Sequence, residues 1–577
     1  MEYEITDRVA IDADVLLEQA GGRGRYQLLL VALYSVVNVL CAFHYFGQTF
    51  ITLVPPHRCR LPEVCDAAAE ERWRYNVPGD AAACWRFDLN LSGVEPPSDG
   101  ERESWPRREC DTGWTYDRPH GYETIVSELD WVCAEQWRLA LGQSLFFAGS
   151  VAGTLALGVL SDRVGRLPAL LVAHACALLG DLVTAFVHDL TGFGAARTVA
   201  GLATDANFFM MYIIVMEYLS PELRTTGLNL TIGVFYTAGC VAVPWLALWL
   251  GSWRRLMLAV AAAHALLPAY WALVPESARW LLQRGRVDAA LRCFRRVAHC
   301  NGRRLDPDAQ RRFQEAATAS KLYRKPPSGS LVGLFKTPNL RRKTCILIFK
   351  TMVLTLCYDV LSRHVSGMGI NPFVMFSASS ATVLPSCLLV ILLQDRVGRK
   401  ALASASLLLT GVFAAVTGAV LGAAESDSDV GPGAAWLAIC GRLALNVAYN
   451  SGVQYSAELV PTEVRGQGVA AMHVVGYAAT FFSPYVLYLG HFWRPFPDVT
   501  LGALTVLGAG LCLLLPETLG RALPVTLQDG ELFGEDEGPC DFAFATSCRC
   551  CRRRRRRRPD AQEDPAEGAP SPAKTPL

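Results

Sequence analysis

The run Gly158-Val159-Leu160-Ser161-Asp162-Arg163-Val164-Gly165-Arg166-Leu167 places charges and glycines between two long apolar segments. The letters D-R-V-G-R return in Asp395-Arg396-Val397-Gly398-Arg399, 233 positions later (395 − 162), again between two apolar segments. A charged tight turn between apolar segments is typical of a short loop at a membrane surface. Its repetition predicts a duplicated membrane fold.

Two further pairs of motifs support this duplication. Residues 217–224 match residues 458–465 at an offset of 241, and Pro275-Glu276-Ser277 matches Pro516-Glu517-Thr518 at the same offset. Three paired landmarks at nearly one period rarely arise by chance. The copies differ at one place, because Ile391 stands where Gly158 would repeat. A close approach of helices is therefore expected mainly in the first half.

The composition is that of a membrane protein. Hydrophobic residues make up 51% of the chain and charged residues only 19%, which is more apolar than a soluble core of this length needs. A helix that crosses a bilayer takes about 20 mostly apolar residues, and twelve such segments are present. The predicted fold is an all-α membrane protein with twelve transmembrane helices in two six-helix halves and both termini on one side.

Charge distribution sets the predicted orientation in the cell membrane. The stretch 279–343 holds 17 Lys/Arg and 4 Asp/Glu, whereas acidic residues outnumber arginines in 55–136. Since basic loops stay in the cytosol, the first stretch and both termini are placed inside and the second outside. The predicted parts are a cytosolic N-terminus (1–25), helix 1 (26–54), an extracellular cysteine-containing loop domain (55–136), helices 2–6 (137–274), a basic cytosolic linker with amphipathic helices (275–343), helices 7–12 (344–516) and a cytosolic disordered tail (517–577).

The predicted extracellular domain has sites for covalent modification. Its odd number of cysteines allows at most two bridges within the domain, and their pairing stays open. Asn90-Leu91-Ser92 has the pattern of a glycan acceptor, which predicts glycosylation of Asn90. Cysteines and histidines show no zinc-finger spacing, and no metal or cofactor is predicted. The disulfide candidates are Cys59, Cys65, Cys84, Cys110 and Cys133.

The tail carries two local motifs. Three cysteines at 548, 550 and 551 precede the arginines Arg552 to Arg558, which predicts contact with anionic lipid, by charge alone or together with acylation. The last residues end in Leu577, whose carboxylate suits a scaffold domain that binds free C-termini. Basic faces elsewhere are interpreted as solvated or lipid-facing, so no nucleic-acid partner is predicted.

Several motifs carry a family resemblance. The run Cys110-Asp111-Thr112-Gly113-Trp114-Thr115-Tyr116-Asp117 closes the first long loop, and the P-E-S-x-R-W-L and P-E-T-x-G runs begin at Pro275 and Pro516. With these motifs the chain resembles, over about residues 24–527, the major facilitator superfamily, and within it the organic cation, organic anion and carnitine transporters (solute carrier 22-like). Sugar porters share some of these motifs, but they have a short first loop and paired glutamines in helix 7.

The resemblance implies alternating access, in which two six-helix bundles rock about a central site. It also implies that the duplicated charged motifs form a cytosolic gate, with Glu217 paired to Arg224, Glu458 to Arg465 and Glu276 to Arg279. The competing interpretation is that these charges only fix the topology. The gate candidates are Gly158, Asp162, Arg163, Arg166, Glu217, Arg224, Glu276, Arg279, Asp395, Arg396, Arg399, Glu458 and Arg465.

The sequence departs from the family where the resemblance places the charges that select substrate sign. Tyr477 stands at the helix 11 position of an aspartate or arginine, and Val383 at the helix 8 position of a glutamate. Buried charges become candidates instead, because burial is expensive. Asp205 is the preferred substrate-facing carboxylate, against the alternative that it is a structural partner of Lys350. Asp359 and Arg363, four residues apart on one helix face, have the spacing of an ion pair.

Aromatic rings add to this site because they can hold an organic cation without a formal counter-charge. Helix packing explains the same aromatics nearly as well, so both interpretations stay open. The aromatic cage includes Phe376 in addition to members of the main set. The substrate-site candidates are Asp205, Asn207, Phe208, Tyr212, Tyr236, Lys350, Tyr358, Asp359 and Tyr477.

The sequence as a whole predicts a polyspecific transporter that moves small organic ions, with an organic cation or zwitterion favoured, across the plasma membrane. No Gly-rich nucleotide loop, H-E-x-x-H or nucleophile elbow occurs, which excludes the common enzyme classes. The competing hypothesis is a weakly transporting or non-transporting receptor or scaffold that uses the extracellular loop and the tail. Intact duplicated gate motifs argue against it, and the missing charge selectors argue for it. The expected partners are a small organic ion and the lipid bilayer.

Overall fold

A computed structural model describes residues 15–60, 77, 79–88, 106–220, 228, 230–265, 267–322, 331–424, 430–535, 537–538 and 541–542. Some predicted sites lie outside these residues. They are Cys65, Asn90, Arg224, the run Arg552 to Arg558, and Leu577.

The first half contains six membrane-spanning helical segments, numbered here as spans 1 to 6. Span 4 is interrupted near Leu202 and span 5 begins with a π-helical turn, so both consist of two pieces. The bounds are Arg25–Ile51 (span 1), Trp137–Val164 (span 2), Arg166–Thr184 (span 3), Leu190–Gly201 with Thr204–Tyr218 (span 4), Ile232–Tyr236 with Thr237–Leu250 (span 5) and Trp253–His264 with Leu267–Leu273 (span 6).

The second half repeats this arrangement. Its bounds are Pro338–Arg363 (span 7), Pro372–Ala381 with Val383–Val397 (span 8), Arg399–Ala423 (span 9), Pro432–Leu459 (span 10), Arg465–Thr480 with Ser483–Leu489 (span 11) and Phe496–Cys512 (span 12). Within the described residues, ten of these twelve segments are long and apolar enough to cross a membrane by length and composition. Span 12 is a shorter apolar helix, and span 10 has 28 residues but includes Arg442 and Glu458. The prediction of a twelve-helix fold in two halves is confirmed.

The charged motif that repeats is mostly helix rather than turn. Span 2 continues through Asp162 to Val164, and span 9 is likewise entered directly from the helix that ends at Val397. The turn itself is one residue in each half: Gly165 with φ 128° and Gly398 with φ 99°. These left-handed values favour glycine, which explains the glycine in each copy of the motif.

The close helix approach expected at Gly158 is wrong for the described residues. A Cβ added at Gly158 would meet nothing within 4 Å, whereas one added at Gly153 would lie 2.1 Å from the Leu202 carbonyl oxygen. A Cβ at Gly149 would lie 2.2 Å from the Thr198 oxygen. Spans 2 and 4 therefore approach each other closely two turns nearer the predicted outer surface, in the helix interior.

The outer domain is built from short antiparallel strand pairs. Strand β1 (His57–Cys59) pairs with β4 (Trp114–Tyr116), and β2 (Trp85–Phe87) pairs with β3 (Arg107–Glu109). Two disulfides, Cys59–Cys110 and Cys84–Cys133, join the strands to each other and to the start of span 2. The pairing that the sequence left open is thus given for four of the five candidate cysteines.

The linker between the halves forms helices Ala278–Gln283, Val287–Cys300 and Pro307–Leu322. One side of the second helix is buried, through Leu291, Phe294 and Val297. Phe294 packs 6.0 Å from the Phe313 ring and 6.3 Å from the Tyr218 ring at the end of span 4. The apolar face of the linker therefore covers the end of the first half rather than facing water.

Candidate functional site

The two halves contact each other through aromatic rings next to the outer domain. Phe50 of span 1 stacks on Phe373 of span 8 at 5.4 Å, and the Tyr122 ring of the outer domain lies 5.6 Å from Phe373. Phe376 packs 5.2 Å from Phe46 and is fully buried. Phe376, predicted for the substrate cage, packs in this arrangement among the aromatic rings that close the outer side.

A buried ion pair in span 7 also holds span 1. Arg363 Nε donates to both Asp359 oxygens, at 2.8 and 2.9 Å, and the two side chains are 2% and 0% exposed. The Tyr45 hydroxyl donates to Asp359 Oδ1 at 2.8 Å, and Arg363 Nη1 donates to Thr49 Oγ1 at 3.1 Å. Ser483 of span 11 donates a further hydrogen bond to Asp359.

These contacts satisfy the charge of Asp359 with protein groups. Asp359 was predicted as a substrate ligand, but in this arrangement it joins the halves, which uses its oxygens. Tyr45 and Thr49 were missed from the site prediction, because the sequence of span 1 gives no sign of which polar residues face span 7.

Asp205 lies where span 4 meets spans 2 and 11. It is 6% exposed, and its Oδ2 accepts hydrogen bonds from Ser150 Oγ at 3.0 Å and Thr154 Oγ1 at 3.2 Å. The Tyr477 side chain, which belongs to the other half, lies close enough to Asp205 to interact with its carboxylate. No ion pair joins Asp205 to a basic side chain in the described part of the chain. Asp205, the preferred substrate-facing carboxylate, and Tyr477, one of the two departures from the family pattern, thus lie next to each other across the halves.

Lys350 binds groups of span 10 and not Asp205, the partner considered for it from the sequence. Its ammonium donates to the Gly452 carbonyl at 2.6 Å and to Ser456 Oγ at 2.7 Å, and it lies 5.5 Å from the Tyr455 ring. The alternative that Asp205 is its structural partner is therefore wrong. Lys350 lines a small cavity of about 20 Å³ between spans 7, 10 and 11, together with Tyr449 and His473.

The predicted aromatic residues fall into two groups. Phe208 and Tyr212 of span 4 are nearly parallel at 6.4 Å, and Tyr34 of span 1 lies 6.0 Å from the first and 6.2 Å from the second. Asn207 is 1% exposed, and its Oδ1 has no hydrogen-bond partner among the residues described. This group belongs wholly to the first half.

The second group surrounds Tyr358. Its ring is covered by Arg442, whose Cζ lies 3.8 Å from the ring centre, and Tyr449 lies 5.4 Å away. The Tyr236 side chain approaches Tyr358 from the first half. One face of Tyr358 therefore already holds a cation from the protein, which reduces its use as a cage for a substrate cation.

The cytosolic motif of the first half is held by carboxylates. Glu276 Oε1 accepts from the backbone N–H groups of Arg166 at 2.8 Å and Leu167 at 3.3 Å, the first residues of span 3. Such capping is favourable because these amides have no partner within the helix. Glu217 accepts from Ser277 Oγ and from the backbone N–H of Arg279. The predicted pair of Glu276 with Arg279 is wrong, because Glu276 binds amides instead.

The second half repeats this cap with one residue that was not among the predicted gate residues. Glu517 accepts from the backbone N–H groups of Arg399 at 2.9 Å and Lys400 at 3.3 Å. Glu458 forms an ion pair with Arg399 at 3.3 Å and accepts from Thr518. The predicted pair of Glu458 with Arg465 is wrong, since Arg465 Nε donates to the Val460 carbonyl.

The remaining gate candidates lie at the surface. Asp162 and Asp395 are 74% and 77% exposed, and each pairs with the arginine four residues later, Arg166 and Arg399, at 2.8 and 2.9 Å. The side chains of Arg163 and Arg396 are exposed. Each described motif contact stays within its own half, whereas the contacts between the halves lie near the outer domain and at Asp205. This arrangement is closed on the outer side.

Twelve spans in two repeats, with a buried polar site between them and matching charged caps at one end, define a transporter of the major facilitator type. The sequence model described as Sugar (and other) transporter matches residues 115–525. The fold is similar to the inward-open xylose transporter XylE from E. coli, with a TM-score of 0.53 and 16% identity over 87% of this chain and 99% of that chain.

Similar proteins identify the family within this superfamily. The chain is 34% identical to solute carrier family 22 member 7 of Pongo abelii, over 89% of this chain and 95% of that protein. It is 29% identical to the organic cation transporter protein of Drosophila melanogaster, over 92% of this chain and 96% of that protein. The chain belongs to solute carrier family 22 within the major facilitator superfamily. It is a multi-pass membrane transporter and not an enzyme, and these relatives lend no support to the receptor or scaffold hypothesis.

Proposed function

We propose that this transporter moves small organic cations, or zwitterions with a cationic group, across the plasma membrane by alternating access. Both termini then lie in the cytosol. The polyspecific site lies between the halves, close to Asp205 and Tyr477. The name of the Drosophila relative, an organic cation transporter protein, supports this substrate class.

One observation carries the proposal. Asp205 is a buried carboxylate that receives hydroxyl hydrogen bonds, yet none of the described cationic side chains pairs with it. An isolated buried charge is costly, so it favours either a proton or a bound cation. Hydroxyl donors and nearby rings of Tyr477 and Tyr449 suit the approach of an ammonium group.

The test is uptake of a radiolabelled panel of organic cations, zwitterions and anions in cells that express the chain. We expect uptake of cations, and we expect Asp205→Asn to abolish it while surface expression persists, because the amide no longer attracts a cation. Asp288→Asn is the control, since Asp288 is an exposed carboxylate on the linker. Unchanged cation uptake by Asp205→Asn would overturn the assignment.

A second variant separates transport from receptor function. Asp162→Asn removes the exposed partner of Arg166 at the cytosolic motif. If the motif takes part in alternation, this variant slows uptake without changing which substrates compete. We also propose that Arg552 to Arg558 contact anionic lipid and that the carboxylate of Leu577 binds a scaffold domain. Their test is surface retention after replacement of the arginines or removal of the last three residues.

A further inference from the structure

Span 1 carries a second buried polar cluster that the proposed substrate site does not use. We propose that His44, with His264 and His174 behind it, is a proton-binding site that couples organic cation transport to proton movement. The coupling rests on the proposed function, while the proton site itself stands on the geometry of the first half.

Within the described part of the chain, the ring nitrogens of His44 contact two hydrogen-bond acceptors and no donor. Its Nδ1 lies 2.7 Å from Asp181 Oδ2, and its Nε2 lies 3.0 Å from the Ala200 carbonyl oxygen. A carbonyl oxygen can only accept, and so can an ionised carboxylate, so both ring nitrogens must carry hydrogen. The contacts therefore describe an imidazolium held between spans 3 and 4, with a side chain 3% exposed.

The charges that face His44 come from three other spans. Arg197 Nη2 of span 4 lies 2.7 Å from Asp181 Oδ1, and both side chains are at most 1% exposed. His264 of span 6 has its ring 5.5 Å from the His44 ring. The Phe146 ring of span 2 lies 5.6 Å from His44. Arg197 already neutralises Asp181, so the proton on His44 is an extra charge that can leave without breaking that pair.

A histidine pair stands next to it and can accept a proton. His174 Nδ1 and His264 Nδ1 are 3.2 Å apart, which requires one nitrogen to donate and the other to accept. Both side chains are 2% exposed, and their Nε2 atoms have no hydrogen-bond partner in the described part of the protein. Tyr270 lies 5.3 Å from His174, and the thiol of Cys41 is buried on span 1. The three histidines thus form a chain from span 1 through span 6 to span 3.

A proton suits this cluster better than a divalent metal. Nitrogen and oxygen ligand atoms of His44, Asp181 and His264 lie within 4.8 Å of one another, which is a metal-like grouping. However, Asp181 is already bound by a guanidinium, and the His44 Nε2 points to a carbonyl. A cation added at this place would oppose the charge of Arg197.

The cluster is linked to the contact between the halves through one peptide unit. Tyr45, the next residue, donates to Asp359 of span 7. When His44 loses its Nε2 proton and keeps the Nδ1–H that faces Asp181, the free lone pair of Nε2 faces the Ala200 carbonyl oxygen at 3.0 Å, and the hold of span 4 on span 1 weakens. Protonation therefore stabilises the arrangement closed on the outer side, and loss of the proton favours its opening. Only an N–H bond forms or breaks, and water on the exposed side supplies or takes the proton.

The first experiment uses the wild-type chain in proteoliposomes loaded with a pH-indicator dye. The probe is radiolabelled tetraethylammonium, whose charge does not change with pH. We expect its entry to change the internal pH in step with uptake, and a pH gradient to change the uptake rate several-fold at constant membrane potential. Uptake with no proton movement and no gradient effect would overturn the coupling and leave the proposed function intact.

The second experiment tests the proton site without any substrate. Thermal stability of the purified chain is measured between about pH 5.5 and about pH 8.5. We expect the wild-type melting temperature to fall as pH rises, and His44→Gln to flatten this dependence. His299→Gln, at an exposed position on the linker, should keep the wild-type profile.

These two readouts keep the possible failures apart. If tetraethylammonium is not taken up at any pH, the proposed cation transport fails for this probe, and the melting profiles still decide whether His44 binds a proton. Equal pH profiles for wild type and His44→Gln would overturn the proton site. If His44→Gln does not fold, the wild-type proton flux decides the coupling.

Discussion

Tyr45 makes a polar contact between the halves that a single substitution removes. Its hydroxyl donates to Asp359 Oδ1 at 2.8 Å, and its ring packs 4.8 Å from Phe46 and 6.1 Å from Phe147. Tyr45→Phe deletes this hydrogen bond and keeps the ring. Because spans 1 and 7 must separate when the outer side opens, the bond stabilises only the closed arrangement. The substitution should therefore shift the equilibrium toward the outward-open state.

The size of this shift in the equilibrium depends on the hydrogen bonds that Asp359 retains after the substitution. A hydrogen bond to a charged group contributes about 1.5–3 kcal/mol. The lower value applies, because Asp359 still receives hydrogen bonds from Arg363 and Ser483 after the change and no charge is left unpaired. About 1.5 kcal/mol corresponds to roughly a tenfold shift of a two-state equilibrium.

The assay reports opening of the outer side through a new cysteine. Ser144 is fully buried, and its Oγ donates to the Phe481 carbonyl of the other half at 2.8 Å. A Ser144→Cys reporter should react with a membrane-impermeant maleimide only when the halves separate. Background labelling is measured in the protein that lacks this substitution and is subtracted. We expect the labelling rate to rise about tenfold with Tyr45→Phe.

The control for this assay is Tyr488→Phe. The Tyr488 ring, at the end of span 11, packs on Phe492, so this substitution should leave the labelling rate unchanged. A rate for Tyr45→Phe that equals the control would refute the argument that the Asp359 contact holds the outer side closed.

Two further predictions concern stability. Glu517→Gln weakens the cap on span 9, since a neutral amide oxygen binds the Arg399 N–H less strongly than a carboxylate; we expect a lower melting temperature and slower uptake, whereas Glu535→Gln, near the end of the described chain, should behave as wild type. Burial opposes ionisation of Glu128, but hydrogen bonds from Arg254 and Trp253 outweigh it and hold the pKa of that carboxyl below its usual value. Its stabilising effect is present above the unfolded pKa of about 4.3 and is lost as pH falls through the lower folded pKa, so Glu128→Gln should remove part of the acid dependence of the melting temperature.

The sequence predicts the fold well because duplication and hydropathy are properties of the chain itself. It predicts the partners of the motif charges poorly, and Glu276 shows why. The family resemblance implies a pair with Arg279, but a left-handed Gly165 opens the start of span 3 and directs its free amides at Glu276. The residue types in a sequence do not show where free backbone amides will lie. The equivalent role of Glu517 was missed for the same reason, although its motif was recognised as a repeat.

Two residues predicted for the substrate site lie together in the structure. Asp205 was singled out as a buried charge and Tyr477 as a departure from the family pattern, and the structure places them next to each other across the two halves. The alternative that joined Asp205 to Lys350 failed because the direction of a side chain around its helix is set by packing against neighbours. Lys350 turns toward span 10, where Gly452 leaves room for its ammonium and offers a carbonyl.

Three intramembrane aspartates of the described chain can be compared by the basic side chains that pair with them. Asp181 has Arg197 and His44, and Asp359 has Arg363. Asp205 receives only hydroxyl groups. Since the first two are already neutralised by the protein, a substrate cation would gain little from them and would compete with an arginine. This difference supports the proposal that Asp205, among these three, is the carboxylate that receives a substrate cation.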